Sequence, residues 1–273
     1  MVTARELMYT EVPLTSLTNE QLRARVARAQ LYLLEVTTST DSDATPERLR
    51  DRLAYFYKLE SEGRLFGFGP VDADPGGCDH LAIIAASTGA EADRIASNEP
   101  MQRAGIATIR VRTHTMNEGV ACYVGRALSR RAEALGDSFD PAIDGIGLSH
   151  EALQQRASRA QVHLIRLEPT DKPRPREDTQ TGYDHFVWLR GNEMQAKLMS
   201  CGPVQSVEPL PEGVWGGGLG VVATSREEAE KIAAEEPSRR AGYRRLSVQS
   251  WRLDFGLAAP IAKALATLNS LPT

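Results

Sequence analysis

Two stretches of this 273-residue chain are near copies of one another: EADRIASNEPMQRAGI, from Glu91 to Ile106, and EAEKIAAEEPSRRAGY, from Glu228 to Tyr243. The shared pattern EAxxIAxxEPxxRAG recurs at an offset of 137 residues. RAQ recurs at Arg28 to Gln30 and Arg159 to Gln161, offset 131, and GPV at Gly69 to Val71 and Gly202 to Val204, offset 133. Anchors that keep their order while the offset grows are what a duplicated domain with loop insertions in its second copy produces. Any fold for this chain must therefore be built twice.

Each copy reads as six elements. AQLYLLEV (Ala29 to Val36) and AQVHLIRL (Ala160 to Leu167) are apolar runs of strand length. ERLRDRLAYFYKLESEGR follows as a helix, with Leu49, Leu53, Phe56 and Tyr57 at helical spacing; its counterpart EDTQTGYDHFVWLRGNEMQAK is less regular and is weakened by Gly191. RLFGFGPV and KLMSCGPV are short strands ending in Gly-Pro, and HLAIIAAS and GLGVVATS are buried strands. The near copies are helices opened by the capping boxes Thr88 with Glu91 and Ser225 with Glu228, and stopped by Pro100 and Pro237. IRVRTHT and LSVQSWRL close each copy as strands with period-two alternation.

Strand, helix, strand, strand, helix, strand is the ferredoxin-like βαββαβ order, a four-stranded antiparallel sheet with both helices on one face. The bare faces of two such sheets cover each other, so the expected fold class is α+β: two repeats packed sheet to sheet as an intramolecular dimeric α+β barrel. Residues 1–118 form the first repeat with an N-terminal extension, residues 119–150 a linker that opens with a helix, and residues 151–273 the second repeat. The second ends in a helical arm at GLAAPIAKALATLNSL.

A formal net charge of −4 and a pI near 5.8 provide no electrostatic reason to expect nucleic acid or an anionic membrane as partner. Cys78, Cys122 and Cys201 are odd in number and far apart, which suggests neither a disulfide framework nor a zinc site and points to a reducing cytoplasm. Glu6 and Glu11 interrupt what a signal peptide needs, and no apolar stretch is long enough to span a bilayer. A cytoplasmic monomer or homodimer is expected.

The chain resembles the YCII-related family, small proteins of the dimeric α+β barrel class. DRLAYFYKLESEGRLFGFGPV and EADRIASNEPMQRAGI carry the resemblance in the first copy, DHFVWLRGNEMQAKLMSCGPV and EAEKIAAEEPSRRAGY in the second. It covers both repeats and leaves the termini and linker unassigned. In that family a helix histidine and an aspartate before proline are thought to form a catalytic dyad. The histidine position is filled here by His185 in the second copy and Arg52 in the first, and the acid position by Glu236 and Glu99, each one methylene longer than the family's aspartate.

A histidine whose far nitrogen meets a carboxylate has a fixed tautomer and can give or take a proton near neutral pH. The expected catalytic residues are thus His185, the proton-transferring group, and Glu236, its orienter. Arg52 stays charged and cannot shuttle a proton, so with Glu99 it forms an ion pair or an anion-binding wall. Tyr183, Asp184 and Trp188 flank His185 as candidate substrate-binding residues. His163, mid-strand where the first copy has Tyr32, either faces the barrel interior or is a satisfied core histidine.

The five histidines show no metal-ligand spacing, and no motif supports haem, so neither metal nor cofactor is expected. GVWGGGLG, Gly213 to Gly220, precedes a strand and reads as a flexible loop. The resemblance implies a cofactor-independent lyase or isomerase acting on a small ring compound: a hydroxylated or chlorinated aromatic, a quinol or a lactone in aromatic breakdown. The alternative is a non-catalytic small-molecule-binding or assembly module of the same fold.

Overall fold

A computed structural model describes residues 17–24, 28–39, 45–72 and 77–270; the expectation about the N-terminal residues 1–16 lies outside them. The elements are α1 (Asn19–Ala24), β1 (Ala29–Thr38), α2 (Pro46–Ser61), β2 (Leu65–Pro70), β3 (His80–Ile84), α3 (Gly89–Ser97), α4 (Pro100–Arg103), β4 (Ala107–Met116) and α5 (Cys122–Leu135). The series continues with α6 (His150–Arg156), β5 (Ala160–Pro169), α7 (Thr179–Met194), β6 (Leu198–Pro203), β7 (Gly218–Val222), α8 (Arg226–Glu235), α9 (Pro237–Arg240), β8 (Arg244–Leu253) and α10 (Ala259–Asn269). Two antiparallel sheets result, ordered β2-β3-β1-β4 and β6-β7-β5-β8. This is the ferredoxin-like order, given twice.

The pleat explains why the central strands read as continuous apolar runs. Leu31 and Leu33 of β1 point with Val162 and Leu164 of β5 into the core between the sheets, while Tyr32 and Leu34 point outward at the helices. Both faces of each sheet are buried. Trp251 is fully buried in the inner core and donates its indole N–H to the Gly69 carbonyl at 3.3 Å. Polar groups also enter this layer: Arg166 reaches Glu35 at 2.7 Å and Arg110 reaches it at 2.8 Å.

The sheets are joined at both edges. Phe68 N–H donates to the Phe255 carbonyl at 2.8 Å on one seam, and Cys201 N–H to the Glu118 carbonyl at 2.7 Å on the other. This closes an eight-stranded barrel, and it assigns a reason to the repeated Gly-Pro. A Cβ on Gly69 would stand 1.8 Å from the Arg252 carbonyl oxygen, and one on Gly202 would stand 1.8 Å from that of Thr115. Only glycine lets the seam strands approach that closely.

Several features depart from the sequence expectations. The buried stripe of α2 runs through Arg52, Tyr55, Phe56 and Leu59, whereas Leu49 is exposed. Helix α7 continues through Gly191. Only the hydroxyl half of each capping box forms: Thr88 accepts the Glu91 N–H and Ser225 that of Glu228. The carboxylates go elsewhere, Glu91 to Ser87 and to Arg64 at 3.0 Å, Glu228 to Lys197 at 2.7 Å. Each carboxylate thus gains a charge-assisted bond to a cation, buried for Arg64 and half-buried for Lys197, and Glu91 still accepts a backbone amide, that of Ser87. The prolines that stop α3 and α8 each begin a further short helix, as proline suits a first helical turn.

The segment after β4 and the C-terminal arm are equivalent pieces. Helices α5 and α10 both begin after a glycine of positive φ, Gly119 and Gly256, and both complete the core between the sheets, through Leu128 and Ala132 and through Ala262 and Leu265. The rest of the linker crosses the first repeat, where Phe139 is buried against Tyr55 and the Ala142 carbonyl accepts from Lys58. Helices α1 and α6 precede β1 and β5, and each packs on the other repeat: α1 on α7, α6 on α2.

Candidate active site

The site is built where α7 crosses the outer face of the second sheet. Asp178 caps the helix by accepting the Thr181 N–H, and Gly182, His185, Leu189 and Asn192 then recur on its buried face. At the other side, α8 ends at Glu236, which Pro237 holds in extended geometry. From there Glu236 caps α9: its carboxylate accepts the Ser238 N–H at 3.0 Å, the Ser238 hydroxyl at 2.6 Å and the Arg239 N–H at 2.7 Å. The remaining bond joins the two elements, His185 Nδ1 to Glu236 Oε1 at 2.7 Å.

Burial opposes charge on Glu236, but the bonds from His185 and Ser238 outweigh it and hold its pKa at about 2. Glu236 is therefore the acceptor and Nδ1–H the donor. Burial is the largest influence on His185 and lowers its pKa; Glu236 opposes that, and Arg244 adds to it. The imidazole is neutral at neutral pH, with its lone pair on Nε2.

Aromatic rings enclose the pair. Trp188 stacks on His185 with centroids 5.9 Å apart and is fixed by its indole N–H to the Ile232 carbonyl. Phe186 lies 6.0 Å away, and Trp215 meets the ring edge-on at 5.4 Å. Arg174 and Arg244 stand over Trp215 at 4.7 and 4.4 Å, and Tyr243 lies 6.4 Å from it while donating its hydroxyl to Asp178. Only 11% of the His185 side chain is exposed.

Of the residues singled out from sequence, His185, Glu236 and Trp188 are brought together. Tyr183 is half-buried on the adjoining turn of α7. Asp184 is exposed and accepts from Gln180, so it faces solvent. His163 is not in the barrel interior: Val162, Leu164 and Arg166 alternate inward, which turns His163 to the outer face, where burial lowers its pKa and the Thr224 backbone opposes that. Arg52 belongs to the equivalent place in the first repeat, its Nε 3.4 Å from Glu99 and its guanidinium over Phe68. Burial raises the Glu99 pKa there, and Arg52 offsets it only in part.

Trp215, Tyr243, Arg174 and Arg244 escape the sequence reading. A repeat comparison could have found Arg244, since the first copy has Ala107 in its place. Cavities of about 390 and 500 Å³ adjoin residues 204–210, and one of about 340 Å³ lies beside Arg110 to Thr113; none of the three is lined by His185.

No protein-family model matches the chain, and no curated protein matches it. Solved structures share its architecture. The chlorite dismutase of Candidatus Nitrospira defluvii in complex with imidazole aligns over 90% of this chain and 98% of its own, with a TM-score of 0.50 and 10% identity. A heme-binding protein from Thermus thermophilus aligns over 88% and 96%, with a TM-score of 0.47 and 12% identity. The shared fold is a dimeric α+β barrel, made here within one chain. Among the described residues no helix is long and apolar enough to cross a membrane.

Proposed function

We propose that His185 and Glu236 form a general acid–base pair, and that the protein is a YCII-related lyase or isomerase that moves a proton on a small ring compound. The contact from Nδ1 to Oε1 at 2.7 Å is the observation that carries this reading. With Nδ1–H held by Glu236, Nε2 takes a proton from the substrate. The imidazolium that forms is stabilised by the carboxylate and returns the proton to another substrate atom or to a leaving group. Such a pair contributes typically about 10² to 10⁴ in rate. Trp188 and Tyr183 are proposed to bind the substrate ring; Asp184, turned to solvent, and Arg52, in the other repeat, have no part in it.

The structural neighbours lend no support to a lyase or to cofactor independence. Haem, which one of them binds, would have to reach a His185 nitrogen. The histidine and its buried carboxylate are a suitable donor pair, but Trp188 and Trp215 lie against the ring and only 11% of the His185 side chain is exposed. The residues as placed do not fit the group. That enclosure favours the second reading, a binder without turnover, which predicts indifference to Glu236→Gln.

The test is proton exchange. Hydroxylated and chlorinated aromatics, quinols and lactones are incubated in deuterated buffer with the wild type and with His185→Asn, and exchange and product are followed by NMR. Exchange that falls about 10²-fold or more in the variant supports the pair; equal exchange in both proteins overturns it.

A further inference from the structure

We propose that the slot between His185 and Arg244, filled in this structure by the Trp215 indole, binds a flat aromatic anion whose ring replaces the indole and whose charge is met by Arg244. This deepens the function proposed for the same site, and its test is one of binding, so the two fail separately.

Arg244 opens β8 and is buried, with 8% of its surface exposed. Its Nε donates to the Gly216 carbonyl at 2.8 Å, and no carboxylate among the described residues stands within ion-pair distance of it. Glu236 acts on it only through space, and that carboxylate already accepts four hydrogen bonds. Taking a cation from water without a counter-charge is costly, which is why buried charges are paired. The first repeat obeys that rule: its buried arginines Arg52 and Arg64 have Glu99 and Glu91, and Ala107 stands at the Arg244 position. Among the described residues the unmatched cation lies in the repeat that carries His185.

The shape of the site specifies the rest. Two guanidinium groups cover the Trp215 ring, at 4.7 and 4.4 Å from its centre, and His185 meets its edge. A site with cations over the ring favours electron-rich π-faces, and an anionic ring most of all. Indole satisfies the shape but leaves the charge unmet. Its hold is also slight: Trp188 and Trp251 donate their indole N–H groups to backbone carbonyls, whereas that of Trp215 donates to no described residue. Trp215 sits beside Gly216 and Gly217, with Gly213 at φ +80° just before it. A ring in its place would have an edge at the imidazole, where a proton is to be moved.

Isothermal titration with sodium benzoate, and with benzamide as its neutral isostere, tests the assignment on the full chain. Benzoate is expected to bind Trp215→Ala roughly tenfold more tightly than the wild type, because the occupant is gone, and benzamide to bind that variant roughly tenfold or more weakly than benzoate. Arg244→Gln should lose the preference for the anion and Arg244→Lys should keep part of it. Equal binding of benzoate and benzamide to Trp215→Ala, or no binding of either, overturns the proposal, and neither outcome depends on the Arg244 variants folding. Benzoate binding without His185-dependent exchange overturns the chemistry alone; exchange without benzoate binding overturns the slot alone.

Discussion

Arg52 and His185 stand at the same place in the two repeats, each on the buried face of the first helix and each against the glutamate that caps a four-residue helix. Arg52 Nε is 3.4 Å from Glu99 Oε1, and His185 Nδ1 is 2.7 Å from Glu236 Oε1. In one repeat the acid completes an ion pair; in the other it orients a neutral ring.

The ion pair is fully enclosed, so removing one partner strands the other. Arg52→Met is expected to lower stability by about 3 to 5 kcal/mol, measured by urea unfolding. Arg52→Met with Glu99→Gln should recover most of that loss. A single variant as stable as the wild type would show that Glu99 is already protonated or solvated.

The neutral ring has a pH signature. A histidine held below its unfolded pKa binds fewer protons folded than unfolded, so its contribution to stability is complete above about 6.5 and is lost as pH falls toward the folded value. Glu236, held at about 2, adds a loss as pH falls below the ordinary carboxylate range. NMR titration should place His185 below about 6.5, and any proton-transfer rate should plateau at neutral pH and fall on the acid side. A His185 midpoint above 7 would contradict the assignment of the lone pair.

Glu118 shows the opposite sign. It is buried at the seam with one carboxylate oxygen making no hydrogen bond, and burial, with Glu193 adding to it and Arg190 opposing, pushes its pKa up to about 7. Its folded form binds more protons than the unfolded one, so stability is full at low pH and drains as pH rises through about 7. Glu118→Gln should match the wild type near pH 4 and exceed it at pH 8 by up to about 3 kcal/mol in thermal or urea unfolding. No gain at pH 8 would mean that the carboxylate is stabilised as an anion.

The seams make a prediction of their own. Gly69→Ala and Gly202→Ala each drive a Cβ into a carbonyl oxygen of the facing strand, so each should cost about 1 to 3 kcal/mol or more. Hydrogen exchange should reveal faster opening at Phe68 for the first variant and at Cys201 for the second. Normal stability in both would require the seams to yield without breaking.

Local pattern accounts for what was legible in the chain. Period-two runs, the prolines and the repeated anchors yielded the βαββαβ order and the pairing of the sheets, while the family resemblance, not periodicity, pointed to His185 and to Glu236 before Pro237, which the fold brings within 2.7 Å. Tertiary placement accounts for what was not. Trp215 and Arg174 lie on irregular segments whose path no periodicity reports, and the inward or outward turn of His163 depends on register with β8. The pieces α5 and α10 were visible as GVACYVGRAL and GLAAPIAKAL, but separate labels of linker and arm hid their equivalence.

The two seams have a consequence for what such a barrel can become. When two identical chains build a barrel, the two-fold axis copies every substitution into both halves, so an arginine that strengthens one site abolishes the histidine of the other. Here both halves lie on a single chain, and the symmetry is only approximate. One half is free to lock its acid into an ion pair and the other to keep an imidazole, a division of labour that a homodimer of this fold cannot adopt.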